Sequence, residues 1–198
     1  HRPVRGDLTS PDSLVEPARA ADAVIHAAHT GGEDAGDVDR EAVETILRAL
    51  EGTAKPFVYT SGCWVLGDTG ETVAGEGHPR NPVDLVRWRE KLEPRVLDGA
   101  GQDIRTVVVR PAMVYGRGGG IPAMLVDEAA REGVVRVVGD GLQEWPMVHL
   151  DDLADLYVRV LEAPKGSLFN AASGPSYRAR DVAIAAGLAA GTDGFYRE

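Results

Sequence analysis

Along the chain, short apolar runs alternate with segments whose apolar residues recur at helical spacing. Residues 23–28, Ala-Val-Ile-His-Ala-Ala, suit a parallel strand covered on both faces, and a helical-looking segment over 11–21 precedes them. Over 39–50, Val43, Ile46, Leu47 and Leu50 fall on one helical face, with Gly52 as the stop signal. A strand over 57–61, a helix over 84–97 with Pro94 inside it as a source of a kink, and a buried strand over 106–110 continue the series. This alternation predicts repeated βαβ units: an α/β chain with a Rossmann-like, doubly wound parallel sheet. The strands 23–28, 57–61 and 106–110 are expected to be parallel neighbours.

After Gly116 the texture changes. Residues 117–122 read as a loop, 123–132 as a helix, and 134–138 as a β-branched strand closed by the turn Gly139-Asp-Gly141. A strand over 145–149 leads into a helix over 151–161, whose tandem aspartates suit both capping and the helix dipole. A strand over 167–171 and a helix over 180–190 follow.

Composition narrows the function classes. At 198 residues, 43% hydrophobic and 26% charged, the chain reads as globular, with room for one domain of ordinary size. A formal charge of −10 argues against a phosphate-backbone binder, which needs clustered Lys and Arg. No apolar run approaches the ~20 residues of a membrane span, and no signal-like segment opens the chain. The single cysteine, Cys63, excludes an intrachain disulfide framework and fits a reducing cytoplasm. No His-x-x-x-His or Cys-x-x-Cys spacing points to a metal.

Three motifs stand in relay: Phe57-Val-Tyr-Thr-Ser-Gly62, then Val109-Arg-Pro-Ala-Met-Val-Tyr-Gly116, then Met147-Val-His-Leu-Asp-Asp-Leu-Ala154. In that order they resemble stations along the extended short-chain dehydrogenase/reductase family, the nucleotide-sugar epimerase and dehydratase group. The likeness runs from about Gly6 to about Leu188. It implies a partial dinucleotide-binding core over 1–116. A small substrate lobe with returning core elements, over 117–198, completes one structural domain. It also implies NAD or NADP as cofactor in the intact protein, and hydride transfer at a carbonyl/hydroxyl carbon of a small polar or sugar-like substrate. A small-molecule substrate, no nucleic acid, no membrane and a homodimer complete the expected partners.

In the first motif, Ser61 or Thr60 reaches the site of the family pattern if the strand end shifts. The last family hydroxyl falls on Gly62, and Leu66 takes the place of a tyrosine. The family's acid–base pair is Tyr-x-x-x-Lys, the lysine lowering the phenol's pKa so that a phenolate acts near neutral pH. Here Arg89 takes the lysine position with Leu85 at the tyrosine, or Lys91 does so with Arg87 there; neither register supplies a phenol. Ser61, Arg89, Lys91 and Tyr115 are the catalytic candidates. Asp7 and Leu8 (adenine side), Ala27 and Ala28 (ribose side), Thr60, Pro111 and Met113 (nicotinamide side) are the cofactor candidates. His149 reads as a packed, hydrogen-bonded histidine. The glycine-rich phosphate loop and the first two strands are not in the sequence, so the chain as given is expected to bind NAD(P) weakly. The rival reading is a catalytically inactive NAD(P)-binding redox sensor or scaffold.

Overall fold

The computed structural model describes residues 2–197. In chain order the main elements are α1 (Val15–Ala20), β1 (Val24–His26), α2 (Ala35–Leu50), β2 (Pro56–Thr60), α3 (Arg89–Asp98), β3 (Arg105–Pro111), β4 (Met113–Gly116), α4 (Gly120–Glu132), β5 (Met147–His149), α5 (Leu150–Val160), β6 (Ser167–Ala171) and α6 (Ala179–Ala189). They fall into two compact units. One runs to Arg110 and takes in Tyr157–Asn170; the other holds Pro111–Leu156 and the chain from Ala171 onward.

In the first unit the four-stranded sheet has the order β1-β2-β3-β6. β1 pairs parallel to β2 (Ile25 opposite Val58) and β2 parallel to β3 (Val58 opposite Val107), as the apolar runs require. Phe57 and Tyr59 of β2 and Val108 of β3 pack with Val43, Leu47 and Leu50 of α2 and Leu92 and Val96 of α3. Each such burial contributes roughly 1.5–3 kcal/mol against conformational entropy. Arg110, at the end of β3, is buried in this unit and held by Glu93 of α3 through two hydrogen bonds, Nε to Oε1 at 2.9 Å and Nη2 to Oε2 at 2.6 Å.

The second unit pairs β4 parallel to β5 (Val114 opposite Val148). α4 and α6 enclose a smaller core of Ala129, Val135, Val137, Ala183 and Ala186.

One glycine is required by the turn after β2. Gly67 has φ 66° and ψ −148°, a region essentially closed to other residues, and a Cβ there would collide with the Asn81 carbonyl oxygen. Gly67→Ala is expected to cost at least about 2 kcal/mol, read as a lower midpoint in urea unfolding. An unchanged midpoint would mean that the turn repacks freely.

Candidate functional site

The site of the first unit begins where β2 runs out. Pairing with β3 persists one residue past the strand, since Ser61 N–H donates to the Val109 carbonyl at 2.8 Å. The chain then leaves through an extended Gly62 into the 3-10 turn Cys63–Leu66. Ser61 is 4% exposed, and its Oγ has no hydrogen-bond partner among the described residues. Arg89, the first residue of α3, donates from Nη1 to the Ser61 carbonyl at 2.9 Å. Its Nε is also buried without a partner among the described residues. Two unsatisfied donors on one interacting pair call for an acceptor, since each unmet buried group costs about 1–3 kcal/mol.

A buried polar network holds Arg89 in place. Asp39 of α2 accepts from His26 Nε2 (2.8 Å), the Tyr59 hydroxyl (2.7 Å) and Trp88 Nε1 (3.0 Å). Trp88 immediately precedes Arg89, whose guanidinium lies 5.4 Å from the indole centroid, while His29 stacks on Trp88 at 5.8 Å. Burial pushes the Asp39 carboxyl up, but the bonds from His26, Tyr59 and Trp88 outweigh it and hold it below the usual range. Burial, then the Asp39 charge, drives the Tyr59 phenol far above its ordinary value, so it stays a neutral donor. Thr60 points elsewhere: its hydroxyl pairs with the Tyr157 hydroxyl at 2.6 Å. Burial raises the Tyr157 phenol against the opposing effects of that bond and the Arg89 charge.

The positions expected to carry an acid–base pair are arranged differently from the sequence reading. The helix expected over 84–97 starts only at Arg89, and a 3-10 turn, Asp84–Val86, stands in front of it. Asn81 N–H and Val83 N–H are tied to the carbonyls of Val65 and Trp64. The chain therefore cannot enter a helix until past Val83, and then turns through tight i to i−3 bonds. Leu85 is 67% exposed in that turn. Lys91 does not join Arg89; it lines an outer groove with Glu33, Asp37, Glu44 and Arg95. The helix runs on through Pro94 to Asp98.

In the second unit Tyr115 is 37% exposed, its ring edge-on to His149 at 5.2 Å. His149 Nδ1 accepts the Asp151 N–H at 3.2 Å, which places the proton of a neutral imidazole on Nε2. His149 is half-buried, and that bond orients its ring. Pro111 is buried at the end of β3. The backbone donors that follow it are already used: Ala112 N–H on the Ala171 carbonyl (2.9 Å), Met113 N–H on the Pro146 carbonyl (3.0 Å).

The model of the NAD dependent epimerase/dehydratase family matches residues 1–172. The chain belongs to this family.

An uncharacterized protein of Schizosaccharomyces pombe is 31% identical over 190 residues, covering 91% of this chain. The 2-alkyl-3-oxoalkanoate reductase of Stenotrophomonas maltophilia is 27% identical over 173 residues, covering 81% of this chain and 52% of that protein. The crystal structure of a dTDP-glucose 4,6-dehydratase from Streptomyces venezuelae with NAD bound superposes with a TM-score of 0.85 at 17% identity, over 97% of this chain and 65% of that one. At that identity the match speaks to the fold alone, the Rossmann-like α/β sheet. The chain spans 63% of the length of the fission-yeast relative.

For this epimerase/dehydratase-family chain the remaining candidates lie at element ends. Ala27 and Ala28 are exposed immediately after β1, where their small side chains leave the surface open. Asp7 is exposed, with Oδ1 accepting both the N–H and the hydroxyl of Thr9 (2.9 and 2.8 Å); the Thr9 N–H bond above all holds its carboxyl below the usual range. Leu8 is half-buried beside it. Sequence reasoning missed His26, Asp39, Trp88 and Tyr157. Only the proximity of His26 to the motif-like Ala27-Ala28 could have drawn attention to the first of them. Among the described residues no group of three or more His, Cys, Asp or Glu is placed to hold a metal, and no helix is long and apolar enough to cross a membrane.

Proposed function

We propose that the protein is an NAD(P)-dependent oxidoreductase of the epimerase or reductase type. It would move hydride at a carbonyl/hydroxyl carbon of a small substrate that is polar, or sugar-like, at its reacting end. The observation that carries this reading is the Ser61–Arg89 pair, with two buried donors unsatisfied at the carboxyl end of a central strand, where ligands of open α/β sheets bind. Membership of an NAD-dependent family and the open surface at Ala27-Ala28 support NAD or NADP as the cofactor. Bound nicotinamide supplies the hydride chemistry. The protein's share is orientation and charge. Oxidation passes hydride from the substrate carbon to the nicotinamide and the proton of its oxygen to solvent, and reduction returns both. Ser61 would donate a hydrogen bond to that oxygen, and Arg89 would stabilise its negative charge. A homodimer and a cytoplasmic location belong to the same reading. Cys63 suits that location, since burial pushes its thiol up to about 11 and away from disulfide exchange.

The test is turnover of NADH and NADPH by the full-length protein with carbonyl substrates. Ser61→Ala is expected to lower kcat/KM about 100-fold while leaving cofactor affinity unchanged. A variant as active as wild type would remove Ser61 from the chemistry. The second reading, a redox sensor or scaffold, draws support from the sequence, which offers Leu85 or Arg87 and no phenol at the tyrosine position of the motif. Tight NAD(P) binding without turnover of any carbonyl substrate would establish that reading instead.

A further inference from the structure

A cavity of about 310 Å³ opens within the second unit. Val126 of α4, Met147 of β5, and Val182, Ala185 and Ala186 of α6 form its walls, and the ring of Tyr115 stands among them. Its volume lies at the lower end of the range for small-molecule pockets, and its lining is apolar apart from two phenols and one carboxylate. The charge pattern is selective. Among the described residues no Lys, Arg or His lines the cavity, and the one charged side chain, Asp181, is an anion. A sugar nucleotide would bring a diphosphate to a place that offers it no cation and one like charge. An uncharged hydrocarbon group meets no such penalty. An apolar cavity of about 150 Å³ takes a benzene ring, so this one has room for a group on the order of a dozen heavy atoms.

We infer that this cavity binds the uncharged apolar arm, alkyl or aryl, of a carbonyl or alcohol substrate, and that it disfavours nucleotide-linked sugars. The inference rests on the proposed function for the class of the substrate, a carbonyl or alcohol; the apolar lining is the cavity's own. The substrate it selects has a polar reacting end and a hydrocarbon arm.

Binding is measured on the full-length protein without cofactor, by calorimetry and saturation-transfer NMR, with 4-phenyl-2-butanone and with UDP-glucose as probes. The ketone is expected to bind with Kd in the low-millimolar range or tighter, about what its size allows, and UDP-glucose to bind more weakly. Ala185 and Ala189 both line the cavity and are exposed, so Ala185→Trp and Ala189→Trp fill it without entering the core. Each is expected to weaken ketone binding at least about tenfold, the scale of a lost apolar contact, with the melting temperature unchanged. No ketone binding, tighter binding of UDP-glucose, or ketone binding unchanged in both tryptophan variants would overturn the inference. Ketone binding without NAD(P)-dependent reduction would sink the hydride-transfer reading and leave the cavity assignment standing. Reduction insensitive to both variants would do the reverse.

Discussion

Replacing Glu93 by alanine is expected to destabilise the chain by about 3–5 kcal/mol, enough to remove much of the stability of a domain this size. Glu93 is fully buried, and both its oxygens bind Arg110, itself 1% exposed; Arg80 stands 3.6 Å away as a second cation. Without the carboxylate, Arg110 remains charged in the core with only a long bond, Nη1 to the Glu76 carbonyl at 3.5 Å. That penalty, rather than the worth of the ion pair, dominates the loss. Urea unfolding should show the midpoint falling by roughly 2 M at an ordinary denaturant slope. The double substitution Glu93→Leu with Arg110→Met removes both charges, and should recover most of the stability. If the single variant loses less than about 1 kcal/mol, water or another group reaches Arg110 and the pair is not sealed.

Asp39→Ala carries the second large effect. It leaves three donors, on buried His26 and Tyr59 and on half-buried Trp88, without their common acceptor. At about 1–3 kcal/mol for each unmet group, shared among side chains that relax together, a loss near 3 kcal/mol is expected. The acid limb of the stability curve supplies an independent reading. The folded-state value of Asp39 lies below its ordinary one. Its stabilisation is therefore complete above the unfolded value, about pH 4, and is lost as the pH falls through the depressed folded value. Asp39→Asn keeps the size but not the titration, so stability should depend less steeply on pH below about pH 4 than in the wild type. Equal slopes in the two proteins would show that Asp39 is not the group being protonated. Because Trp88 Nε1 donates to the Asp39 carboxylate, Asp39→Asn should also alter tryptophan fluorescence.

The path from sequence to site was legible in parts. The apolar face Val43, Ile46, Leu47 and Leu50 located α2, and the run 106–110 located β3, because burial periods are written locally. The helix expected over 84–97 starts late: just before it, Asn81 and Val83 are tied to the carbonyls of Val65 and Trp64, partners that no local period reveals. Asp39 read as an ordinary polar residue near a helix start, and Tyr157 as one more residue of an amphipathic helix. Nothing in their neighbourhoods marks the first as a threefold acceptor or the second as the partner of Thr60.

By itself, the sequence determined the alternation of buried strands and helices, the parallel order of the first three strands, and the absence of a phenol at either register of the acid–base motif. Those depend on side-chain type and spacing within a few residues. Only the tertiary structure decided which polar groups meet: Arg89 rather than Lys91 on Ser61, Glu93 on Arg110, and His26, Tyr59 and Trp88 on Asp39. Such meetings depend on how helices stack on the sheet, and a buried donor takes whichever acceptor that stacking brings within reach.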